Sequence, residues 1–529
     1  MALTLAPIFA SGMILQRELP VRIWGHAEPG SLVNVCIQGK AASCIARQDG
    51  GWDCTLPPLG TSDGEMLEVL SSDERIALSD VAVGEVFIAG GQSNMEYWMR
   101  YDHFVEAYRL NCTNPRIRFY DQPKCSYPGQ MDDFDYTKVG IWRKATPEDL
   151  DYFSAIGYYF ARGLEMVLDA PVGIVGCNYG GTKSLAWMAP AHARDVQPEQ
   201  TTAFEQKLQG LSYDELLANG RMNPSNDKGY ATWPAWNEFF LPQTPAKDEI
   251  DAFMASEAQN ASGPTEVGGL TIEGANATDG VTANHPGLMT PTKEAPGALF
   301  TYMVQPLAGF ATRGVLWYQG ESDDEDAGAQ ARHAEALRTI IADWREAWQR
   351  PELPFLVVQL PGFESWWIFS AHDWPTIRAG QQQVADEDEH VWLCSAGDTG
   401  SRLDIHPKSK KPVGERLALL ALKHVLGQDL LADAPRCIEA IREGSKVILR
   451  FESVGEGLVI DGNKLEAMEL VCNGASIPFH AAVPGNRLIL VLEKPADGPL
   501  EVRFAQTNWF QINLYNSVGI PALPFSMSC

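Results

Sequence analysis

The sequence predicts an α/β protein with a central parallel sheet and a β-rich region at each end. Strands alternate with helices from about residue 81 to residue 427, which is the order that builds a parallel sheet. The strands in that region are continuously apolar, as expected for a sheet that is covered on both faces. The two ends contain short strands separated by turn sequences, which predicts β-sandwich-like domains.

The first β-rich region covers residues 1–80, and the second covers residues 428–529. In the first, turns such as EPGS and QDGG separate the runs PVRIWG, SLVNVCI and MLEVLSS, and no long helix is indicated. In the second, the predicted strands are SKVILRF, GLVIDG, RLILVLE and LEVRFAQ. Each region therefore has enough short strands for a domain of its own.

The middle region, residues 81–427, supplies the buried strands and their helices. Five runs predict strands, namely EVFIAG (85–90), PVGIVG (171–176), RGVLWYQ (313–319), PFLVVQL (354–360) and HVWLCSAG (390–397). Thr146 and Pro147 are typical of the start of a helix, which the apolar spacing extends to about residue 168. Leu337, Ile341, Trp344 and Trp348 mark the inner face of a second helix, and a third begins near Val413.

Residues 195–295 interrupt this alternation of strands and helices. They are polar and rich in Gly, Asn, Thr and Pro, with only weak helical periodicity. We interpret the segment as an insertion packed around the functional site, and the sequence does not predict its fold.

Composition restricts the partners and the compartment. The chain has 529 residues and a net charge of −27, which argues against nucleic acid or an anionic membrane as a partner. No apolar run is long enough to span a bilayer. The first residues lack a basic region, and Pro7 breaks their apolar stretch, so we expect a cytoplasmic protein. The ten scattered cysteines predict isolated thiols in a reducing compartment.

Four segments at strand ends carry unusual polar content. They are GGQSNM from Gly90, NYGGTK from Asn178, WYQGES from Trp317, and the stretch from Gly397 to Pro407. The carboxyl ends of parallel strands meet at one edge of a sheet, where such folds place their functional residues. The four segments therefore predict one shared site.

Ser93, Asp404 and His406 fit serine-based acyl transfer. A serine hydroxyl needs a base within hydrogen-bonding distance, and that base needs a carboxylate to orient it. Attack on a carbonyl also creates an oxyanion, which requires preorganised donors. The candidates are the backbone amide of Ser93, a glycine amide from Gly180 or Gly181, and the side-chain amide of Gln319.

Each segment alone also has a structural explanation. A Gly-Gly-x-Ser sequence is usually a turn at the end of a strand, and an Asp-x-His sequence is usually a capped loop. Gln319 and Glu321 can serve simply to satisfy buried backbone groups. The joint occurrence of all four segments at strand ends, in the order Ser, Asp, His, favours an active site.

The motifs resemble those of the sialate O-acetylesterase family of carbohydrate esterases, in the SGNH (GDSL-like) hydrolase superfamily. The matching stretches are GQSNME around Ser93, NYGGTKSLAW around Gly181, RGVLWYQGESD around Gln319 and DIHPKSKKPVGERLAL around His406. MILQRELPVRIWG near the start and NLYNSVGIPALPF near the end extend the resemblance to nearly the whole chain.

This resemblance implies a three-layer α/β/α SGNH hydrolase domain with accessory β domains, without a metal or another cofactor. It implies hydrolysis of O-acetyl esters on sugars, with Ser93 as the nucleophile and His406 as the base. Ser93, Gly181 or Gly180, and Gln319 would form the oxyanion hole. The wider superfamily places Asp three residues before His, so Asp398 competes with Asp404 as the acid of the triad.

Seven residues in or near these motifs are candidates for substrate contacts: Gln92, Asn94, Trp98, Trp187, Tyr318, Glu321 and Arg378. Trp366, Trp367 and Trp374 extend the aromatic set, which would stack on a sugar ring. Core packing is the structural alternative for the tryptophans, and an internal ion pair is the alternative for Arg378.

We expect the partner to be an acetylated oligosaccharide. The acidic charge favours acetylated xylan-type or other hemicellulose oligosaccharides over O-acetylated sialic acid, which stays open as the alternative. Two further functions also stay open, a lipid or aryl esterase and a carbohydrate-binding protein with an inactive hydrolase core. The sequence does not predict an oligomeric state.

Overall fold

The structure is a computed structural model that describes residues 1–126, 138–207, 265–267, 270–272, 292–366 and 369–529. Most of the predicted insertion at 195–295 lies outside these residues, and so does Trp367. Among the helices in the described ranges, none has the length and apolar character needed to cross a membrane.

The chain begins with strands, as predicted. They are β1 (Thr4–Leu5), β2 (Ile14–Gln16), β3 (Val21–His26), β4 (Leu32–Ile37), β5 (Lys40–Ile45), β6 (Gly51–Leu56), β7 (Ser62–Ser71) and β8 (Glu74–Gly91). In β3 and β4 every second residue is buried, because successive side chains point to opposite faces of a strand. One sheet has the order β1-β3-β6, while β4 pairs with β5 and β7 in the sheet that contains β8.

Strand β8 connects this N-terminal region to the central sheet. Its first half pairs antiparallel with β7, from Glu74 opposite Ser71 to Val83 opposite Ser62. Its second half, from Glu85 to Gly91, lies between two parallel neighbours. The domain boundary predicted at residue 80 therefore falls inside one continuous strand.

The central sheet contains all five predicted buried strands. Its strands after β8 are β9 (Asn114–Asp121), β10 (Trp142–Ala145), β11 (Val172–Asn178), β14 (Gly314–Tyr318), β15 (Phe355–Val358) and β18 (Val391–Cys394). Two separate pairs are β12 (Thr265–Val267) with β13 (Leu270–Ile272), and β16 (Ser365–Trp366) with β17 (Phe369–Ser370). The order is β10-β9-β11-β8-β14-β15-β18, and each neighbouring pair is parallel except β10-β9. Every residue of β11 and β14 is buried, which explains their continuously apolar sequences.

The helices in the described ranges lie mainly in this middle region. They are α1 (Ser93–Glu96), α2 (Val105–Arg109), α3 (Pro147–Leu150), α4 (Ala155–Leu168), α5 (Pro190–Val196), α6 (Pro198–Lys207), α7 (Ala327–Ala331), α8 (His333–Trp348), α9 (Trp374–Glu387) and α10 (Lys411–Leu420). Short 3₁₀ or π turns cover Met99–Tyr101, Ser184–Ala186, Thr292–Glu294, Phe300–Val304, Gln305–Leu307, Glu321–Glu325 and Ala421–Val425.

Alternate residues of β8 enter different hydrophobic clusters. Val86 and Ile88 belong to a cluster that includes α8 and the N-terminal strands. Phe87 and Ala89 belong to a second cluster, which includes α4 and α10. Apolar packing thus covers both sides of the strand that leads to Ser93.

The helix predicted from Thr146 to residue 168 is instead two helices. Thr146 caps α3, since its hydroxyl accepts a hydrogen bond from the Asp149 amide at 3.2 Å. Ser154 then caps α4 by accepting from the Gly157 amide at 3.0 Å, and its own hydroxyl donates to the Met95 carbonyl at 2.6 Å. The contact with Met95, beside the predicted nucleophile, draws the connecting segment away from a continuous helix.

The C-terminal strands form two four-stranded antiparallel sheets and a short pair. The strands are β19 (Arg436–Glu443), β20 (Lys446–Glu452), β21 (Val459–Ile460), β22 (Met468–Cys472), β23 (Ala475–Ser476), β24 (Phe479–Ala482), β25 (Arg487–Leu492), β26 (Leu500–Phe504), β27 (Leu514–Tyr515) and β28 (Phe525–Ser528). One sheet has the order β19-β20-β25-β24, and the other has the order β23-β22-β26-β28. Side chains from both sheets share one hydrophobic cluster.

The cysteines are not all isolated thiols. Cys44 of β5 and Cys54 of β6 form a disulfide, with Cα atoms 5.4 Å apart. The prediction of isolated thiols is therefore wrong for this pair, because proximity across two strands does not follow from a spacing in sequence. The other eight cysteines, all within the described residues, are not in disulfides.

Candidate active site

A tight turn at the end of β8 carries Ser93. Gly91 has a φ of +129°, and a Cβ atom added there would lie 2.0 Å from the Tyr318 carbonyl oxygen of β14. Only glycine fits both the conformation and the close approach. The Gln92 amide then donates to the same carbonyl at 2.9 Å, and Ser93 begins α1. The two glycines quoted from the sequence thus let the strand end turn against its neighbour.

Asn94 joins the Ser93 turn to the His406 loop. Its side-chain nitrogen donates to the Ile405 carbonyl at 2.9 Å and to the Glu321 carboxylate at 2.6 Å. Its side-chain oxygen accepts a hydrogen bond from the Lys410 ammonium. The residue after Ser93 is therefore bonded to the residue before His406, and three of the four motif segments meet at one buried amide.

The His406 imidazole lies in an aromatic environment. It is 5 % exposed. The Tyr97 ring stacks on it with centroids 6.3 Å apart, and the Trp366 ring meets it edge-on at 5.1 Å. Burial, followed by the positive charges of Lys410 and Lys408, lowers the pKa of His406 well below its usual value. The imidazole is consequently neutral near pH 7, which is the form that accepts a proton.

The two candidate acids differ in what they contact. Asp398 forms a two-point ion pair with Arg416, at 2.6 and 2.7 Å. Asp404 accepts a hydrogen bond from the backbone N–H of His406 at 2.9 Å and pairs with the Lys408 ammonium at 3.0 Å. Asp404 is thus attached to the His406 loop, whereas Asp398 is engaged by a helix that follows it.

The glycine loop after β11 is fixed from both sides. The Gly180 N–H donates to the Glu96 carboxylate at 2.7 Å, and the other oxygen of Glu96 pairs with Lys124. The Gly180 carbonyl accepts from the Lys293 ammonium at 2.8 Å. Because its N–H is already used, Gly180 cannot donate to an oxyanion in this arrangement, which leaves Gly181 of the predicted pair.

Gln319 lies beside the same glycine loop. Its side-chain nitrogen donates to the Thr182 carbonyl over a long distance of 3.4 Å. Within the described residues its side-chain oxygen has no hydrogen-bond partner, although the residue is 1 % exposed. A weak bond of this length is easily exchanged, so the amide is suited to a competing acceptor.

Three of the predicted substrate contacts are structural in this arrangement. Gln92 joins two loops, since its side-chain oxygen accepts from the Gly320 and Ser322 amides at 3.3 Å. Trp187 is fully buried, and its indole nitrogen donates to the Thr182 hydroxyl at 3.0 Å. Arg378 is 1 % exposed and donates to the carbonyls of Pro361, Ala505 and Thr507.

The other predicted contacts differ in their burial and packing. Tyr318 is buried beneath the Ser93 turn, and burial raises the pKa of both Tyr318 and Glu321. Trp98 is partly exposed and stacks on Tyr101 with centroids 6.1 Å apart. Trp374 is 1 % exposed and packs against Phe363, so it belongs to the core. Trp366 is partly exposed and lies against His406.

The sequence did not reveal two buried lysines, Lys293 and Lys410. Lysine is among the residues least often buried, so its appearance in a sequence predicts the surface. Burial is the largest influence on Lys410 and lowers its pKa to about 7, while the nearby carboxylates of Asp404 and Glu321 oppose the shift. The only feature of the sequence that linked Lys410 to the site was its position four residues after His406. No feature of the sequence linked Lys293 to the site.

Comparisons with known proteins bear on this geometry. Residues 290–423 match the family model described as "Carbohydrate esterase, sialic acid-specific acetylesterase". Sialate O-acetylesterase of Mus musculus is 23% identical over 97% of this chain and 92% of its own length. The same enzyme of Pongo abelii is 23% identical over 97% and 90%. The crystal structure of a carbohydrate acetylesterase from Xanthomonas citri has a TM-score of 0.73 and 24% identity, and the match covers 99% of each chain.

The chain shares its fold with the Xanthomonas citri carbohydrate acetylesterase. The matched family model and the named relatives place it in the class of serine-type carboxylic ester hydrolases. Within that class, the predicted resemblance to the sialate O-acetylesterase family of carbohydrate esterases is confirmed.

Proposed function

We propose that this protein removes acetyl groups from sugar hydroxyls through an acyl-enzyme on Ser93, with His406 as the base. The hydrogen bond from Asn94 to the Ile405 carbonyl is the observation that carries the proposal. It fixes the turn of the nucleophile against the loop of the base, although the two are distant in sequence. A neutral imidazole between aromatic rings then has the protonation state that the first step requires.

The reaction follows in two halves. The Ser93 hydroxyl attacks the acetyl carbonyl while His406 takes its proton, and the amides of Ser93, Gly181 and Gln319 donate to the oxyanion. The bond to the sugar oxygen breaks, and the imidazolium returns the proton to that oxygen. Water then attacks acetyl-Ser93 with the same base, which frees acetate and restores the serine.

We propose Asp404 as the acid that orients His406. Its carboxylate is held next to the base by the His406 backbone N–H, whereas the carboxylate of Asp398 is paired with Arg416 on both oxygens. An acid already occupied by a buried guanidinium is a poor partner for an imidazole, because separating them leaves an unpaired charge.

For the substrate, we propose neutral acetylated oligosaccharides of the xylan type or another hemicellulose. The cation that the sequence offered for an acidic sugar, Arg378, donates instead to backbone carbonyls. O-acetylated sialic acid is the second candidate, because the matched family model and the named relatives favour it.

We also propose that the central sheet and its helices form a three-layer α/β/α domain between two accessory β domains. Support comes from the two hydrophobic clusters on either side of β8 and the separate cluster of the C-terminal sheets.

Substitution of the nucleophile tests the proposal. In Ser93→Ala, acetate release from acetyl-xylo-oligosaccharides and from 9-O-acetylsialic acid should fall by about four orders of magnitude or more. Ser395→Ala is the matched control, since Ser395 is also buried just after a strand of the same sheet. Its activity should remain at the wild-type level.

Other outcomes separate the alternatives. Wild-type activity in Ser93→Ala would refute the mechanism. A wild-type protein that binds oligosaccharide without hydrolysing esters, and whose Ser93 is not labelled by a phosphonate, would be the binding protein. Preference for long acyl chains over acetyl would identify a lipid esterase, and the ratio of initial rates on the two sugars decides the substrate.

A further inference from the structure

Lys293 donates a hydrogen bond to the Gly180–Gly181 peptide group, whose N–H is the proposed oxyanion donor. Its ammonium lies 2.8 Å from the Gly180 carbonyl oxygen, and the side chain is 7 % exposed. A Cβ atom added to Gly181 would lie 3.4 Å from the same nitrogen. The ammonium also lies 4.9 Å from the centre of the Tyr179 ring. A buried positive charge is therefore held directly against the glycine loop.

The Gly180 carbonyl and the Gly181 N–H belong to a single peptide group. Resonance couples the two ends, so a cation on the oxygen draws electron density from the nitrogen. Charge-assisted hydrogen bonds are about twice as strong as neutral ones, and linked hydrogen bonds polarise one another by roughly 10–30% per bond. The Gly181 N–H thus becomes a stronger donor than an ordinary amide.

Glu96 fixes the preceding peptide group in the opposite sense. It accepts the Gly180 N–H at 2.7 Å and is itself paired with Lys124. The loop is therefore held at the amide of Gly180 by an anion and at its carbonyl by a cation. Because the Gly181 N–H lies in the plane of the peptide group whose carbonyl Lys293 holds, these contacts set the direction of that N–H.

We propose that Lys293 is a positioning residue for the reaction, which strengthens and aims the Gly181 N–H toward the oxyanion through the Gly180–Gly181 peptide group. The inference rests on the proposed function of the Ser93 site. Lys293 lies in the turn Thr292–Glu294, at the end of the predicted insertion at 195–295.

The test compares three variants of Lys293 by steady-state kinetics. Lys293→Met keeps the length of the side chain without the charge or donor, and its kcat should fall roughly tenfold or more with KM nearly unchanged. This loss is smaller than the two to three orders of magnitude that removal of a whole oxyanion donor costs. Lys293→Arg should restore most of the rate, and Lys293→Gln should be intermediate.

A second measurement distinguishes polarisation from a merely structural role. Sulfur accepts hydrogen bonds poorly, so the rate on a 4-nitrophenyl thionoacetate depends less on the oxyanion donors than the rate on 4-nitrophenyl acetate. The oxygen-to-sulfur rate ratio should fall in Lys293→Met, whereas a loosened fold would slow both esters alike. Lys183→Met is the matched control, because Lys183 lies on the same loop and pairs with Glu325 at 3.3 Å.

The results separate failure of this inference from failure of the proposed function. If Ser93→Ala abolishes activity while Lys293→Met retains kcat and the rate ratio, the role of Lys293 is refuted and the mechanism stands. If Ser93→Ala remains active, the proposed function fails first. If Lys293→Met does not fold, the other two variants decide. Equal kcat values in Lys293→Gln and Lys293→Arg would refute the inference, and a higher kcat in Lys293→Arg than in Lys293→Gln would support it.

Discussion

At the residue scale, the site is selected by which polar groups are already engaged. The Gly180 N–H is used by Glu96, which leaves Gly181 as the proposed donor. Both candidate acids are engaged, but Asp398 pairs with Arg416, whereas Asp404 accepts from the His406 backbone. Asn94 connects loops, because its side-chain amide donates to the Glu321 carboxylate and to the Ile405 carbonyl in the His406 loop. Neighbours of the proposed catalytic groups therefore do most of the positioning.

The pH dependence of the reaction should reflect the effect of the nearby lysine charges on the pKa of His406. Lys408 is one of the charges that lower the pKa of His406, and the proposed mechanism uses the neutral imidazole as the base. The acid limb of the pH profile of kcat/KM should therefore lie below pH 6.5 in the wild type. In Lys408→Met a positive charge is lost, so the pKa of His406 rises and the acid limb moves to higher pH.

The control for this profile is Lys411→Met, because Lys411 is partly exposed and pairs with Glu415 on the next turn of α10. Its acid limb should match that of the wild type. Superimposable profiles for Lys408→Met and the wild type would contradict the electrostatic explanation.

The sequence could predict the proposed nucleophile and base because their motifs combine a strand end with a rare set of side chains. It could not predict the internal hydrogen bonds of Gln92, Trp187 and Arg378, since a motif gives proximity to a site but not the direction of a side chain. It missed Lys293 and Lys410 for a related reason. A buried lysine is stabilised only by partners brought together in three dimensions.

At the element scale, α4 and α10 meet through glycine. A Cβ atom on Gly414 of α10 would lie 2.6 Å from the Tyr159 Cβ and 2.8 Å from the Ile156 carbonyl oxygen of α4. On the other helix, a Cβ on Gly163 would lie 2.9 Å from Ala418. Helix α10, after the His406 loop, thus packs directly against helix α4, after the Ser154 cap.

Filling this contact should destabilise the protein. In Gly414→Ala, overpacking against backbone should cost about 2–3 kcal/mol, which exceeds the gain of about 1 kcal/mol from better helix propensity. Urea unfolding measures the difference. Gly60→Ala is the control, because a Cβ there would meet only the end of the Gln38 side chain at 4.0 Å. Equal stability of the two variants would contradict the close crossing.

Helix prediction succeeded where apolar spacing was continuous and failed at one cap. The spacing indicated one helix from Thr146 to residue 168, but Ser154 caps a new helix while its hydroxyl donates to the Met95 carbonyl. This tertiary contact leaves no trace in local periodicity.

At the scale of the whole molecule, the C-terminal region is joined to the core by buried polar contacts. Arg378 of α9 donates to the carbonyls of Ala505 and Thr507, and the Asn508 side chain donates to the Ala371 carbonyl at 2.9 Å. Arg378→Met should therefore lower the free energy of unfolding by about 2–3 kcal/mol, because buried carbonyls lose a charged donor. KM for an acetylated sugar should not change.

Arg436→Met provides the comparison for Arg378. Arg436 pairs with Asp386 of α9 at 2.5 and 2.7 Å, but its side chain is 44 % exposed, so its loss should cost less than about 1 kcal/mol. A large rise in KM with unchanged stability in Arg378→Met would return Arg378 to the substrate site.

The disulfide gives a prediction about the chain as a whole. Alkylation of the denatured, unreduced protein should modify eight of the ten cysteines, and prior reduction should expose Cys44 and Cys54 as well. Peptide mass spectrometry identifies the modified residues, and in Cys44→Ser the Cys54 thiol should react without reduction. Alkylation of all ten without reduction would show separate thiols, which is the state expected of a reducing compartment.

The alternation of strands and helices was enough to predict the central sheet and its buried strands. It did not predict that β8 runs without a break from Glu74 to Gly91, through the division proposed at residue 80. Turn sequences mark where a strand can end, but a strand shared by two sheets has no such mark.

The shared strand makes the N-terminal region unsuitable for exchange between enzymes. A recombination point at residue 80 would cut strand β8, which ends just before Ser93. An N-terminal region from another enzyme would then have to continue β8 with the same twist and length. We therefore expect the N-terminal strands to be inherited together with the turn that carries Ser93.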